Sequence, residues 1–226
     1  MFKTDPHVHT SDISLCASLR SDLMAEAYHK AGYKTIFITE HFAKLYCSFL
    51  GDLPWEDKVT IFLSSYQRAK VKGEQLGINV IMGAEVSFQD KPGDYLVYGI
   101  TKEFLLGCPD VYKMGIEAFS KYAHDNGVFI VQAHPYRDGV YYPTPEYVDG
   151  MEVYNTNPRH ENFTQKTLNC AREHNMYITA GSDSHHIGDV GTSAILTDFE
   201  IKTAEDYINA IKSGNYKIEV HGEIVE

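Results

Sequence analysis

Near the start of the chain, Asp5-Pro6-His7-Val8-His9-Thr10 sets two imidazoles one residue apart. On an extended strand, residues i and i+2 face the same way. His7 and His9 can therefore reach one metal ion while Val8 turns into a core. Read alone, the pair fits two half-exposed polar residues on a strand edge equally well. Its company favours metal: Glu40-His41, Glu85, His134 and Asp183-Ser184-His185 each follow a short apolar run. Histidines and carboxylates without paired thiols suit Zn, Mn or Fe in an open catalytic site, rather than a closed Cys-rich structural one. A pair of ions bridged by a carboxylate would lower the pKa of a shared water. It would also help clamp the attacking and leaving oxygens of a phosphate.

These side chains need strands to carry them. The pattern predicts strands at about 3–9, 34–39, 78–84, 94–100, 128–131, 150–154, 177–180, 193–196 and 217–220. Helices are predicted over about 21–31, 55–76, 111–126, 162–175 and 204–212, with Ser21-Asp22 capping the first and Gly32, Gly77 and Gly127 ending three of them. Alternating strands and helices imply a parallel sheet with right-handed crossovers. The candidate side chains all sit just past the C-terminal ends of apolar strands. A β/α barrel gathers such positions on its active face, whereas an open doubly wound sheet gathers only the loops near its switch point.

The bulk properties are consistent with this. The 226 residues read as one domain, 1–226, with 43% hydrophobic and 23% charged residues. No apolar run is long enough for a membrane span, and the start lacks a signal-peptide pattern. The net charge of −11 argues against a broad nucleic-acid footprint. Cys16, Cys47, Cys108 and Cys170 are scattered, which points to free thiols and a cytoplasmic protein.

His7-Val8-His9-Thr10, Thr39-Glu40-His41, Gly83-Ala84-Glu85, Ala133-His134-Pro135 and Gly181-Ser182-Asp183-Ser184-His185 resemble, in this order, the motifs of the PHP family, the polymerase and histidinol phosphatase domain. The likeness runs from residue 5 to about residue 190. Each motif is weak alone; their order and spacing are specific. The resemblance implies a distorted (β/α)7 TIM-like barrel with two or three divalent ions (Zn, Mn or Fe) at its C-terminal face. It implies one ion on His7, His9, Glu85 and Asp183, a second shared between Glu85 and His134, and a third on His41 and His185.

Two positions depart from the family pattern. The acidic residue or His that usually follows the first motif is absent, so Asp12 is the expected third-site ligand and Cys16 the alternative. Where many relatives have a His opening a segment like His-Leu-Leu-Gly-Tyr-Gly, this chain has Asp94-Tyr95-Leu96-Val97-Tyr98-Gly99. Asp94 is therefore an expected ligand that would harden the second site towards Mn or Fe.

Several residues carry two readings. Arg137 and Arg159 match phosphate geometry, although loop arginines are also common surface charges. Asp5 reads as a partner orienting His7 or His9, and Glu40 as a solvated strand end. Glu152 reads as the support of a ligand or of a backbone amide. His186 reads as exposed, and His29, His124, His174 and His221 as structural. Tyr141-Tyr142 could wall a pocket or simply pack.

The expected function is hydrolysis of small phosphomonoesters by metal-activated hydroxide, with Arg137 and Arg159 on the phosphate and His160 or a water protonating the leaving group. Histidinol phosphatase or protein-tyrosine phosphatase activity stands as the alternative within the family, and an inactive metal-binding regulatory module as the alternative from another class. The expected partner is a small phosphorylated substrate, with neither membrane nor nucleic acid. Oligomeric state is not legible.

Overall fold

The apolar runs become strands of one curled sheet, and the amphipathic runs become helices on its outside. The computed structural model describes residues 1–225. In chain order the elements are β1 (Phe2–Val8), α1 (Ser21–Lys30), β2 (Thr35–Ile38), β3 (His41–Phe42), α2 (Lys44–Phe49), α3 (Trp55–Leu76), β4 (Asn79–Ser87), β5 (Asp94–Tyr98), α4 (Lys102–Leu106), α5 (Ile116–Asp125), β6 (Phe129–Ala133), β7 (Gly150–Asn155), α6 (Thr164–Glu173), β8 (Tyr177–Gly181), β9 (Ser193–Thr197), α7 (Ala204–Ser213), β10 (Lys217–Val220) and β11 (Glu223–Ile224).

The sheet runs β11-β10-β9-β1-β2-β4-β5-β6-β7-β8, with β3 on the side of β4. It is mixed, which corrects the expectation of an all-parallel sheet. β5 is antiparallel to both β4 and β6, and β9 is antiparallel to β1. The link from β4 to β5 is short, Phe88 to Gly93. A link of that length can join antiparallel neighbours but cannot make a crossover. The sheet curls until its far end returns to β1. There an isolated parallel bridge joins Val8 to Ser184, with His9 N–H donating to Ser184 O at 2.9 Å. The result is a half-barrel whose seam is pinned at the mouth and has no full β1–β8 ladder.

Other sequence expectations shift locally. The helix predicted over 111–126 divides into a 3-10 turn, Val111–Lys113, and α5, because Gly115 takes φ +76° between them. Ser21 begins α1 and does not cap it. Arg20 holds the cap position without a side-chain bond, and Asp12 Oδ2 accepts the Ser21 N–H at 2.8 Å. The short α2, α4, β3 and β11 were not anticipated. Pro6 cannot donate to a ladder, and it falls where the β1–β2 register slips, between Asp5 and Val8.

Packing fixes the strand ends. Val8 is fully buried with Met24, Tyr28, Ile36 and Ile38 under α1 and α3, so β1 is held by its apolar side. The two-residue β3 is anchored by Phe42, whose ring lies 4.5 Å from that of Phe62 in α3. Burying such a ring contributes about 1.5–3 kcal/mol. Truncating it to Ala would cost roughly 3–5 kcal/mol and release the neighbouring His41.

Candidate metal centre

The strand ends deliver their polar side chains to one mouth. His7 and His9 leave β1 on the same face, with their Nε2 atoms 3.0 Å apart. His41 pairs with Glu85 across the β3–β4 ladder, and its Nδ1 lies 2.9 Å from Glu85 Oε2. Because β5 is antiparallel, its first residue Asp94 pairs with Ala133, beside His134. His134 Nε2 is 3.0 Å from Glu85 Oε1 and 3.9 Å from Asp94 Oδ2. Asp183 Oδ1 lies 3.4 Å from both His7 Nε2 and His9 Nε2.

Four overlapping donor sets result: His9/His41/His185, His7/His9/Glu85, His7/His134/Asp183 and Glu85/Asp94/His134. Within each set the donor atoms lie within 4.8 Å of one another. The expected His7, His9, His41, Glu85, Asp94, His134, Asp183 and His185 are thus brought together. Asp12 is not. Its carboxylate caps α1 through Ser21 N–H and pairs with Arg68, and both attachments hold it away from the donor sets. The alternative, Cys16, is exposed and lines the cavity at the mouth together with His41.

The donors fit divalent cations. Glu85 Oε2 is buried and has no hydrogen-bond partner among the described residues, although it faces His9 Nε2 at 3.3 Å and His41 Nδ1 at 2.9 Å. Leaving a buried carboxylate oxygen so placed is costly unless a cation satisfies it. Electrostatics point the same way. Burial opposes charge on Glu85, yet His7 and His41 hold its carboxyl well below the usual range. Burial likewise opposes charge on Asp183 and is overcome, with His7 the foremost neighbour. Burial would lower the pKa of His7, but Glu152, Asp183 and Glu85 raise it well above the usual imidazole value. Burial and the nearby His9 push His185 down to about 3. Burial and the Glu85 charge raise Asp94.

Supporting residues surround these donors. His185 Nδ1 lies 2.8 Å from Asp183 O, a hydrogen bond that directs Nε2 away from Asp183. Ser14 Oγ lies 3.2 Å from His9 Nδ1 and donates to Glu40 Oε2 at 2.6 Å, so Glu40 is a buried network member and not a solvated end. Asp5 accepts the backbone N–H groups of His7 (3.1 Å) and Ser182 (3.2 Å) and the hydroxyl of Tyr28 (2.7 Å), holding two amides and a phenol and no imidazole. Ser14, Asn155, which donates to Glu152 Oε2 at 2.8 Å, and Asn157, which donates to Asp183 Oδ2 at 3.1 Å, were missed in the sequence; small polar residues in loops or at strand ends carry no motif of their own.

A cavity of about 350 Å³ opens above the donors, its wall including Arg137, Val140, Tyr141, Arg159 and His160. Arg137 is mostly committed: its Nη2 donates to Asp183 Oδ2 (2.6 Å) and Asn155 Oδ1 (2.9 Å), and its Nε to Asn162 Oδ1 (3.1 Å). Arg159 grips Asp189 through two bonds of 3.0 and 2.8 Å. His160 Nδ1 lies 2.7 Å from Asp138 Oδ2. His186 joins the same wall and is only partly buried. No described helix is long and apolar enough to cross a membrane.

Residues 162–216 match the family model described as PHP-associated, a stretch that includes Asp183 and His185. No curated protein matches the chain. Among solved structures, a two-domain Bacteroides vulgatus protein containing a predicted PHP-like metal-dependent phosphoesterase is similar, with TM-score 0.74 and 16% identity over 100% of this chain and 66% of its own. A putative metal-dependent phosphoesterase of Bifidobacterium adolescentis gives TM-score 0.55 and 15% identity over 93% of this chain and 95% of its own. A lesion-specific endonuclease of Pyrococcus furiosus gives 0.63 and 15% over 96% of this chain and 57% of its own. The chain therefore spans just under two thirds of the first and little over half of the last. These likenesses define the fold as PHP-like. The family-model match itself covers residues 162–216 alone.

Proposed function

We propose that this protein is a metal-dependent phosphoesterase acting on small phosphomonoesters, its curled sheet being the distorted seven-stranded barrel of the PHP type. The observation that carries the reading is the convergence of five histidines and three carboxylates into overlapping donor sets at the floor of one cavity. His7, His9, Glu85 and Asp183 would hold one ion, His134 and Asp94 with Glu85 a second, and His41 and His185 with His9 a third. Divalent ions there would lower the pKa of a bound water and neutralise phosphoryl oxygens.

The chain's own groups do the rest. Arg159 and Arg137 stand in the cavity wall to orient the phosphate, and a bidentate guanidinium matches its geometry. His160, held by Asp138, would donate a proton to the leaving alkoxide. Tyr141, whose ring lies 5.7 Å from that of His134, and Val140 give the cavity an apolar side for the organic half of the substrate.

Nuclease activity is a property of the Pyrococcus protein. Here the wall has few cations and the chain carries −11, which suits one phosphate better than a polyanion. The test is phosphate release from a panel of nucleotide, sugar and aryl phosphomonoesters with added Mn or Zn, run beside single-stranded DNA. Release from at least one ester is expected. Cleavage of DNA with no release from any ester would replace this reading with a nuclease. Metal uptake with no turnover of either would replace it with a binding module.

A further inference from the structure

We infer that Glu152, seated by Asn155 and by the bare backbone of Gly181, is the positioning residue for the His7/His134/Asp183 side of the centre. The inference rests on the metal-site reading above but not on the substrate. Glu152 is buried, and neither of its oxygens faces the cavity. Oε1 lies 2.8 Å from His7 Nδ1. Oε2 accepts the His134 N–H at 3.1 Å and the Asn155 side-chain amide at 2.8 Å. Asn155 Oδ1 in turn accepts from Arg137 Nη2, and the same nitrogen donates to Asp183 Oδ2. One carboxylate thus reaches all three members of a single donor set: one by its ring, one by its backbone, and one through Asn155 and Arg137.

The strand is built for this. On a regular strand, residues three apart face opposite sides. In β7 the pairing with β8 slips between Glu152 and Tyr154, so Glu152 pairs with Thr179 and Asn155 with Gly181. The extra residue turns Glu152 and Asn155 to the same interior. Opposite them Gly181 leaves space: a Cβ there would meet Glu152 Oε1 at 2.4 Å and His7 Cβ at 2.5 Å. Bonding at Nδ1 directs His7 Nε2 to the donor cluster, the arrangement by which a carboxylate orients a metal-binding imidazole. The donors His41 and His185 have no bond to Glu152 or Asn155 in this network.

The selectivity gives the test. Zinc uptake by the full chain is followed by competition with a chromophoric chelator for the unaltered protein, Glu152→Gln, Asn155→Ala and His41→Ala. Glutamine keeps its oxygen for the N–H donors of His134 and Asn155 and turns its NH2 to His7 Nδ1, which shifts the imidazole proton to Nε2, the atom that faces the donor cluster. Glu152→Gln should weaken one class, the two ions held through His7, Asp183 and His134, about 10–100-fold, Asn155→Ala should weaken the same two less, and His41→Ala should mark the third. Ring-nitrogen NMR signals of His7 should move in Glu152→Gln while those of His185 stay. Unchanged zinc affinities in folded Glu152→Gln protein would overturn the inference. So would equal weakening of every class together with a lowered Tm, the signature of a general packing defect. Should the zinc classes separate as expected while no phosphomonoester turns over, the phosphatase reading fails and the role of Glu152 stands.

Discussion

Asp94, the first residue of β5, faces His134, just past the end of β6, with Asp94 Oδ2 3.9 Å from His134 Nε2. The relationship depends on strand direction. Were β5 parallel to its neighbours, its first residue would lie at the closed end of the sheet. Antiparallel pairing instead puts Asp94 beside Ala133 at the mouth.

Asp94→Ala should lower metal content and turnover without unfolding the protein. The folded-state pKa of Asp94 is raised by burial and by Glu85. A raised carboxyl favours the fold below its unfolded pKa, and that contribution is lost as pH rises through the folded value. At neutral pH the metal-free Ala variant should therefore be no less stable than the parent, within about 1 kcal/mol. Elemental analysis and chelated-protein melting check both halves. An unchanged metal count would remove Asp94 from the centre.

Metal uptake should release protons and tighten as pH rises. His7 and His41 are both raised well above the usual imidazole value: burial opposes their charge, and Glu152 for His7 and Glu85 for His41 lead the groups that outweigh it. Each must shed a proton to offer a lone pair. In chelated protein, their ion pairs stabilise the fold fully below pH about 6.5, and that stabilisation fades as pH climbs through the raised folded values. Chelated protein should thus lose stability with rising pH over the range where metal affinity increases. Calorimetry in two buffers of different ionisation enthalpy, with melting curves across pH 6–9, reads the two trends.

Asp12→Ala should cost stability and leave metal content alone. The carboxylate caps α1 and pairs with Arg68. A lost cap costs about 1 kcal/mol, and the exposed guanidinium adds little. Loss of an ion in this variant would return Asp12 to the third site.

Much of the centre was legible because strand ends announce themselves: an apolar run followed by His, Glu or Asp is visible in one dimension. His7, His9, Glu85, His134 and Asp183 were read that way. Asp12 is harder to read, because a carboxylate next to a motif looks the same in sequence whether it turns to a metal or to a helix end, and Arg68, its partner, lies 56 residues away. Strand direction was also hidden. The short link before β5 was present in the sequence, but apolar runs broadly alternating with helices read as parallel until register is known. The slip in β7 that turns both Glu152 and Asn155 inward has no sequence mark at all.

His160→Gln should slow turnover in a manner set by the leaving group. If His160 protonates the departing oxygen, an alkyl phosphate needs it and a nitrophenyl phosphate, whose leaving group is a weak base, does not. General acid catalysis contributes about 10²–10⁴-fold, so kcat for alkyl esters should fall towards that extent while kcat for the nitrophenyl ester changes little. Equal losses on both would give the proton to water or another group.

Arg137 and Arg159 should part company. On residue type alone both are phosphate binders, and removing either should leave the metal in place. The bonds separate them. Arg137 is buried and holds Asp183 through Nη2. Arg137→Ala leaves Asp183 without its guanidinium and Asn155 Oδ1 with only the Asn157 N–H, so metal content should fall along with kcat. Arg159 is tied instead to Asp189, whose Oδ2 also accepts the His185 and His186 N–H groups at 2.9 and 2.8 Å. These two N–H bonds keep the loop in place when the arginine is removed, so Arg159→Ala should leave metal content unchanged. A guanidinium that binds the phosphate equally in ground and transition states raises KM when lost, and one that tightens on the transition state lowers kcat. Arg159 already shares its charge with Asp189, which limits how far it can strengthen during reaction. The expected result is a KM for phosphomonoesters raised about tenfold, the equivalent of roughly 1.4 kcal/mol, with kcat within a few-fold. Inorganic phosphate should lose affinity as an inhibitor by a similar factor. A normal KM in metal-replete Arg159→Ala protein would mark the Arg159–Asp189 pair as a brace for the His185 loop and remove Arg159 from the phosphate site.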